Sequence, residues 1–216
     1  MFTGIIQEVG TVASRRQAGG VMRLAIHAPL LAAKVGPPES VAVNGACLSI
    51  VERRQGRLTF EMIPETQRLT TLGSLRAGDG VNLEPSLSLS DRLNGHVVLG
   101  HVDGVGAVAR RTQRPGELSL TIRAPAGVRP YLVPQGPITV NGVSLTIGRQ
   151  PSASTFTVHL IPETLRQTTL RALSVGDRVN LEVDYLAKLV AHVILRPAGV
   201  SRSDAARPLP ASIRKG

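Results

Sequence analysis

Tryptophan is absent, aromatic residues make up 2% of the 216-residue chain, and there is a single cysteine, Cys47. One cysteine excludes an internal disulfide and fits a reducing compartment, the cytoplasm. The lack of aromatics leaves almost no platforms on which nucleic-acid bases stack. The net charge of +10 is therefore not read as a nucleic-acid interface, and the basic residues are scattered. Only Lys34, Lys188 and Lys215 are lysines; the rest are arginine. No run approaches the roughly 20 apolar residues of a membrane span. The opening MFTGIIQEVG has neither the basic start nor the long apolar stretch of a secretory signal. With apolar residues at 42% the chain still builds packed cores, made of Val, Leu, Ile and Ala.

What the chain does have is a repeat. Val41–Ile50, VAVNGACLSI, returns as Ile138–Ile147, ITVNGVSLTI. Asn44-Gly45 and Asn141-Gly142 each sit between apolar runs, the strongest short-range hairpin signal. The strand leaving the turn alternates. Ala46, Leu48 and Ile50 share one face and Cys47, Ser49 and Val51 the other; Val143, Leu145 and Ile147 likewise oppose Ser144 and Thr146. Met22–Pro29 returns as Leu118–Pro125, Ile63–Leu72 (IPETQRLTTL) as Ile161–Leu170 (IPETLRQTTL), and Ala77–Glu84 as Val175–Glu182. The offset drifts only from 96 to 98 residues. One fold is present twice.

Each half reads as about six short strands with Gly, Pro and charged turns, the pattern of a small antiparallel barrel or sandwich. The Pro-Glu-Thr segments predict one or two helical turns after a strand. Leu186, Leu189, Val190, Val193 and Ile194 form a helical stripe that needs a partner surface. The expected divisions are residues 1–96 and 97–184 for the two barrels, 185–196 for an oligomerisation helix, and 197–216 for a disordered basic tail. Between the halves, Gly95-His96 and Gly100-His101 read either as polar residues on a joining strand or as histidines beside a ligand; no third metal ligand is evident beyond Asp103.

These residues together resemble riboflavin synthase of the duplicated-barrel type. The similarity is carried by MFTGI at the N-terminus, Asn44-Gly-Ala-Cys-Leu-Ser49, Gly95-His96 with Gly100-His101-Val102-Asp103, Val143-Ser-Leu-Thr146 and the doubled PET-x-R-x-TTL, over about residues 1–195. The resemblance implies an all-β fold, two similar six-stranded antiparallel Greek-key barrels in tandem plus a C-terminal α-helix. It implies a homotrimer in which two molecules of 6,7-dimethyl-8-ribityllumazine meet between the N-barrel of one subunit and the C-barrel of its neighbour. One gives a four-carbon unit to the other, yielding riboflavin and 5-amino-6-ribitylaminouracil, with no metal or redox cofactor.

By the same resemblance, Cys47, His101, Ser144, Phe2 and Asp184 are the expected catalytic positions. The expected substrate-binding positions are Gly4, Ile5, Ile6, Cys47, Leu48, Ser49, Glu61, Met62, Ile63, Pro64, Glu65, Thr66, Gly100, His101 and Val102. To these the second half adds Gln135, Ser144, Leu145, Thr146, Ile161, Pro162, Glu163, Thr164, Leu165 and Arg166. His101 suits proton transfer, Cys47 a thiolate or the orientation of water, Ser144 and Thr146 bonds to ring heteroatoms, and Asp184 the ribityl hydroxyls. Gln135 stands where many relatives carry Lys, Leu99 where Ser is common, and Asn94 where Gly is common. A non-catalytic lumazine- or flavin-binding relative is the alternative reading.

Overall fold

In a computed structural model, residues 1–194 are described. The expected tail, 197–216, and the last two positions of the expected oligomerisation helix lie outside the described residues.

The first half contains β1 (Glu8–Ala18), β2 (Val21–His27), β3 (Ser40–Val43), β4 (Ala46–Arg54), β5 (Arg57–Met62) and β6 (Gly80–Pro85), with short helices α1 (Pro29–Ala32) and α2 (Pro64–Leu69). All neighbouring strands are antiparallel and run in the order β1-β2-β5-β4-β3-β6, closing into a barrel through β1 and β6. Closure follows from the pattern noted above. Ala46, Leu48 and Ile50 are buried while Cys47, Ser49 and Val51 face out. Leu24, Ile26, Leu58, Phe60, Val81 and Leu83 complete the same interior.

The second half repeats this with β7 (Gly104–Arg114), β8 (Glu117–Arg123), β9 (Pro137–Val140), β10 (Val143–Thr146), β11 (Thr155–Leu160), α3 (Pro162–Gln167) and β12 (Arg178–Val183). Its six-stranded order is β10-β9-β12-β7-β8-β11. Both halves bulge at the same place, at Ala13 in β1 and Ala109 in β7. They differ at the seam. β4 and β5 pair over several residues, whereas β10 and β11 meet only at the Ile147–Val158 bridge, with Gly148 N–H donating to Thr157 O at 2.7 Å. The strand β10 stops early because Gly148, Arg149, Gln150 and Pro151 follow it, and proline has no N–H for the ladder. The expectation of two equal barrels thus holds as one closed barrel and one six-stranded sheet rolled to a single bridge.

The conserved-looking Thr pairs within the repeat turn out to be structural. Thr70 Oγ1 donates to Thr66 O at 2.7 Å and accepts Leu72 N–H at 3.2 Å, joining α2 to a 3₁₀ turn. Thr168 makes the same two bonds after α3. The helix α4 (Tyr185–Ile194) leaves β12 and carries the stripe seen in the sequence. Leu186, Leu189, Val190, Val193 and Ile194 are all exposed in the single chain.

A buried amide network ties the halves together. Asn82 Nδ2 donates to Asn141 O at 2.9 Å, and its Oδ1 accepts Thr169 N–H at 2.8 Å. Asn180 mirrors it, donating to Asn44 O at 2.8 Å and accepting Thr71 N–H at 2.7 Å. The Asn44 and Asn141 side chains accept from the Asn82 and Asn180 N–H groups within their own halves. The two Asn-Gly turns touch across a pseudo-two-fold axis, and a Cβ on Gly45 would lie 2.7 Å from Gly142 N. Glycine is required there by contact as well as by its φ of +81°.

Candidate active site

The segments that precede each barrel do not stay with their own half. Phe2 pairs with Val98, its equivalent in the repeat, through Phe2 N–H to Val98 O at 2.7 Å and Val98 N–H to Phe2 O at 3.1 Å. From this crossing the chain continues over the opposite half. Gly4 O accepts the N–H of Ser144 at 2.8 Å, and Gly100 O accepts the N–H of Cys47 at 2.9 Å. Ile6 is buried in the core of the second half, and Val102 packs against the core of the first. Positive φ angles of +78° at Gly4 and +76° at Gly100 bend the chain at these points. The approach is close: a Cβ on Gly4 would lie 2.6 Å from Ser144 Cβ, and one on Gly100 2.7 Å from Cys47 Cβ.

Each expected site therefore draws on both halves. Around Ser144 a groove of about 810 Å³ is lined by Gln135, Ser144, Leu145, Thr146, Ile161 and Thr164, among others. Beside it, a cavity of about 370 Å³ adds Gly4, Ile5, Ile6 and Glu163. The volumes suit a bicyclic ring with a polyol chain. In the other site, Cys47 and Ser49 face outward on β4, with the Gly100–Val102 segment bonded to Cys47.

Several expected residues turn elsewhere. Leu48 and Met62 point into the first barrel, so only their main chain faces the site. Leu165 packs on the second core. Glu61 pairs with Arg23 at 3.4 Å across β2 and β5. Glu65 and Arg68 pair along α2, as do Glu163 and Arg166 along α3. Arg166 also lines a separate cavity of about 740 Å³ between the halves, beside Asn44 and Asn141. Phe2 is fully buried with Ala42 and Val98, its ring beneath Gly100. Asp184 accepts the Leu186 N–H at 3.1 Å at the start of α4, where a carboxylate caps the helix.

Three polar residues outside the expected site set stand next to the sites: His96, read from the sequence either as a polar strand residue or as a histidine beside a ligand, and Glu84 and Glu182. His96 Nδ1 lies 2.8 Å from Ser144 Oγ. Burial holds its imidazole below the usual histidine range, opposed by the nearby Asp184 charge. Glu84 and Glu182 are both buried and grip the crossing segments. Burial pushes both carboxyls above the usual range, against the hydrogen bonds that pull them down. The signal for these was present: His96 follows Gly95 as His101 follows Gly100, and both glutamates end the repeated Val-Asn-Leu-Glu.

Fold and site define a protein of two tandem lumazine-binding domains. The lumazine binding domain family matches residues 3–86 and again 99–184. The chain belongs to the riboflavin synthase family. It is 43% identical over 202 residues to riboflavin synthase of Mycobacterium tuberculosis, spanning 92% of this chain and 100% of that one. Identity to riboflavin synthase of Bacillus subtilis is 37% over 188 residues, 87% of each chain. Among solved structures, LumP complexed with riboflavin superposes with a TM-score of 0.78 at 27% identity, covering 85% of this chain and 99% of that chain.

Proposed function

We propose that this chain catalyses the riboflavin synthase reaction: one molecule of 6,7-dimethyl-8-ribityllumazine gives a four-carbon unit to a second, and the two leave as 5-amino-6-ribitylaminouracil and riboflavin. The observation that carries the reading is the pair of unlike sites, one at Cys47 and one at Ser144, on two copies of one fold in a chain so similar to riboflavin synthases throughout. The reaction consumes two copies of one molecule in two different roles. A duplicated fold supplies two matching ring sites, and the unequal residues assign the roles.

The C7 methyl of a lumazine is acidic, and the partner molecule must be attacked at its C7. His101 and His96 are the groups suited to move protons at neutral pH. Cys47 is exposed and free to act as thiolate or to orient water. Ser144, held by His96, is suited to bond a ring heteroatom or a nucleophilic water. Asp184 caps α4 through Oδ1, and its Oδ2 is suited to the ribityl hydroxyls.

The exposed stripe on α4 supports assembly, which we infer to be a trimer joining the first half of one subunit to the second half of its neighbour. The single cysteine fits a cytoplasmic setting, and no helix among the described residues is long and apolar enough to cross a membrane. The test is direct. Protein stripped of metal and given only the lumazine should release riboflavin and the uracil product in equal amounts. Tight binding without riboflavin would make it a binding protein instead.

A further inference from the structure

Glu84 and Glu182 are buried, lie outside the set assigned to chemistry, and hold the main chain of the two crossing segments. Glu84 Oε1 accepts the Thr3 N–H and the Thr3 hydroxyl, both at 2.7 Å, and Oε2 accepts the Gly4 N–H at 2.9 Å. Glu182 Oε1 accepts the Leu99 N–H at 2.7 Å, and Oε2 accepts the Gly100 N–H at 3.0 Å. Each carboxylate takes two successive N–H groups, one per oxygen. The next contact crosses the axis: Gly4 O receives Ser144 N–H, and Gly100 O receives Cys47 N–H.

We propose that the two glutamates are positioning residues acting in a crossed manner, Glu84 of the first half for the site at Ser144, and Glu182 of the second half for the site at Cys47. The proposal deepens the function given above and rests on its two sites. The argument is geometric. A carboxylate has acceptors on both oxygens, and two N–H groups converge on it. A charged acceptor gives short, strong bonds to backbone N–H groups. The left-handed bend at each glycine follows immediately, so the glutamate fixes where the bend starts. Beyond the bend lie Ile5 and Ile6 in one case, His101 and Val102 in the other. The clamps are not identical. Asp103 Oδ2 accepts Val183 N–H at 2.9 Å and Oδ1 pairs with Lys188 at 2.8 Å, bracing the segment held by Glu182. Gln7 occupies the equivalent position in the first half and makes no such bridge. The clamp at Glu84 instead uses the Thr3 hydroxyl.

The lone cysteine reports on one site only. Labelling of Cys47 by a disulfide reagent, with and without 6,7-dimethyl-8-ribityllumazine, reads shielding at the site that carries Cys47. In the unmodified protein the lumazine should slow labelling. In E182Q the lumazine concentration for half-protection should rise at least tenfold, because glutamine turns an amide N–H₂ toward one of the two N–H groups. In E84Q it should stay within twofold of the unmodified protein while riboflavin formation falls at least tenfold. Hydrogen exchange read by mass spectrometry gives a ligand-independent measure: E182Q should accelerate exchange in 98–102 and leave 2–6 unchanged, and E84Q the reverse. E182D and T3V, which shorten or trim a clamp while keeping its charge, should shift the same readouts in the same direction if a glutamine variant does not fold. Full protection of Cys47 in E182Q, loss of protection in E84Q, or exchange rising in the segment the glutamate does not hold would overturn the crossed assignment. Absence of lumazine protection in the unmodified protein would refute the site reading instead, with exchange still deciding the clamps.

Discussion

Replacing Asn82 with alanine should loosen the joint between the halves without touching either site. Asn82 is fully buried and satisfies two groups of the second half, Asn141 O and Thr169 N–H. The Asn82→Ala change strands both. A buried polar group left without its partner costs about 1–3 kcal/mol. Two of them give about 2–6 kcal/mol, against a total stability of about 5–15 kcal/mol for an ordinary domain. The mirror residue Asn180 keeps its own bonds to Asn44 O and Thr71 N–H, so half the network survives. Asn82→Asp sharpens the test. It keeps an acceptor for Thr169 but puts a carboxylate against a carbonyl, so it should cost more at pH 8 than at pH 5. Urea unfolding at fixed protein concentration, followed by far-ultraviolet circular dichroism because tryptophan is absent, measures each change. A double Asn82→Ala, Asn180→Ala variant should depart from the sum of the singles, since both residues anchor the same pair of turns. An Asn82→Ala protein within about 0.5 kcal/mol of the parent, the range of ordinary surface changes, would refute the network as the joint.

The stripe on α4 should drive assembly: each large aliphatic residue contributes about 1.5–3 kcal/mol when fully buried, so Leu189→Glu should give smaller species in sedimentation, and an unchanged assembly would remove the helix from the interface. Cys47→Ser should leave unfolding and lumazine affinity nearly intact while lowering turnover about tenfold or more; unchanged steady-state rates would show that the thiol plays no chemical part. His96, with its pKa depressed in the folded chain, favours folding above the unfolded histidine value, and that contribution is lost as pH falls through the unfolded pKa of about 6.5 toward the lower folded value. The stability difference between the parent and His96→Gln should therefore shrink or reverse on acidification through that window, and a pH-independent difference would contradict it. An isolated first half, residues 1–97, lacks the Gly100–Val102 segment, and a second copy can offer Gly4–Ile6 in its place. It should bind lumazine as a dimer and form no riboflavin; binding by a strict monomer would show that the segment is dispensable.

The barrel strands were legible because strand side chains alternate and the repeat reports each strand twice. The Asn-Gly turns and the Pro-Glu-Thr helices came from chemistry confined to a few neighbours. The crossing was not legible. Residues 2–6 and 98–102 precede their barrels at equal distances, and sequence order says nothing about which half they cover. For the same reason nothing in the order of residues shows that the side chains of Asn82 and Asn180 bond to the opposite half. Met62 and Leu48 were placed in the site by position, but alternation sends their side chains into the barrel. The burial of Glu84 and Glu182 was not legible either, since it depends on which N–H groups arrive from elsewhere in the chain.

The two Asn-Gly turns at the axis have a consequence for how the molecule ages. Asn-Gly is the dipeptide most prone to spontaneous deamidation, because nothing on glycine hinders its nitrogen from attacking the asparagine side chain. Here both asparagines are buried, each side-chain oxygen is held by an N–H of the last strand of its half, Asn82 in β6 or Asn180 in β12, and the two glycines are pressed together. Ring closure needs loss of the glycine N–H proton, departure of ammonia and a rotation of the asparagine that this packing forbids; water enters only later, to open the ring. Chemical wear at Asn44 and Asn141 can proceed only when the halves part. The iso-aspartyl linkage it leaves lengthens the backbone at the point of contact, so a molecule that has opened long enough to react cannot close as it did before.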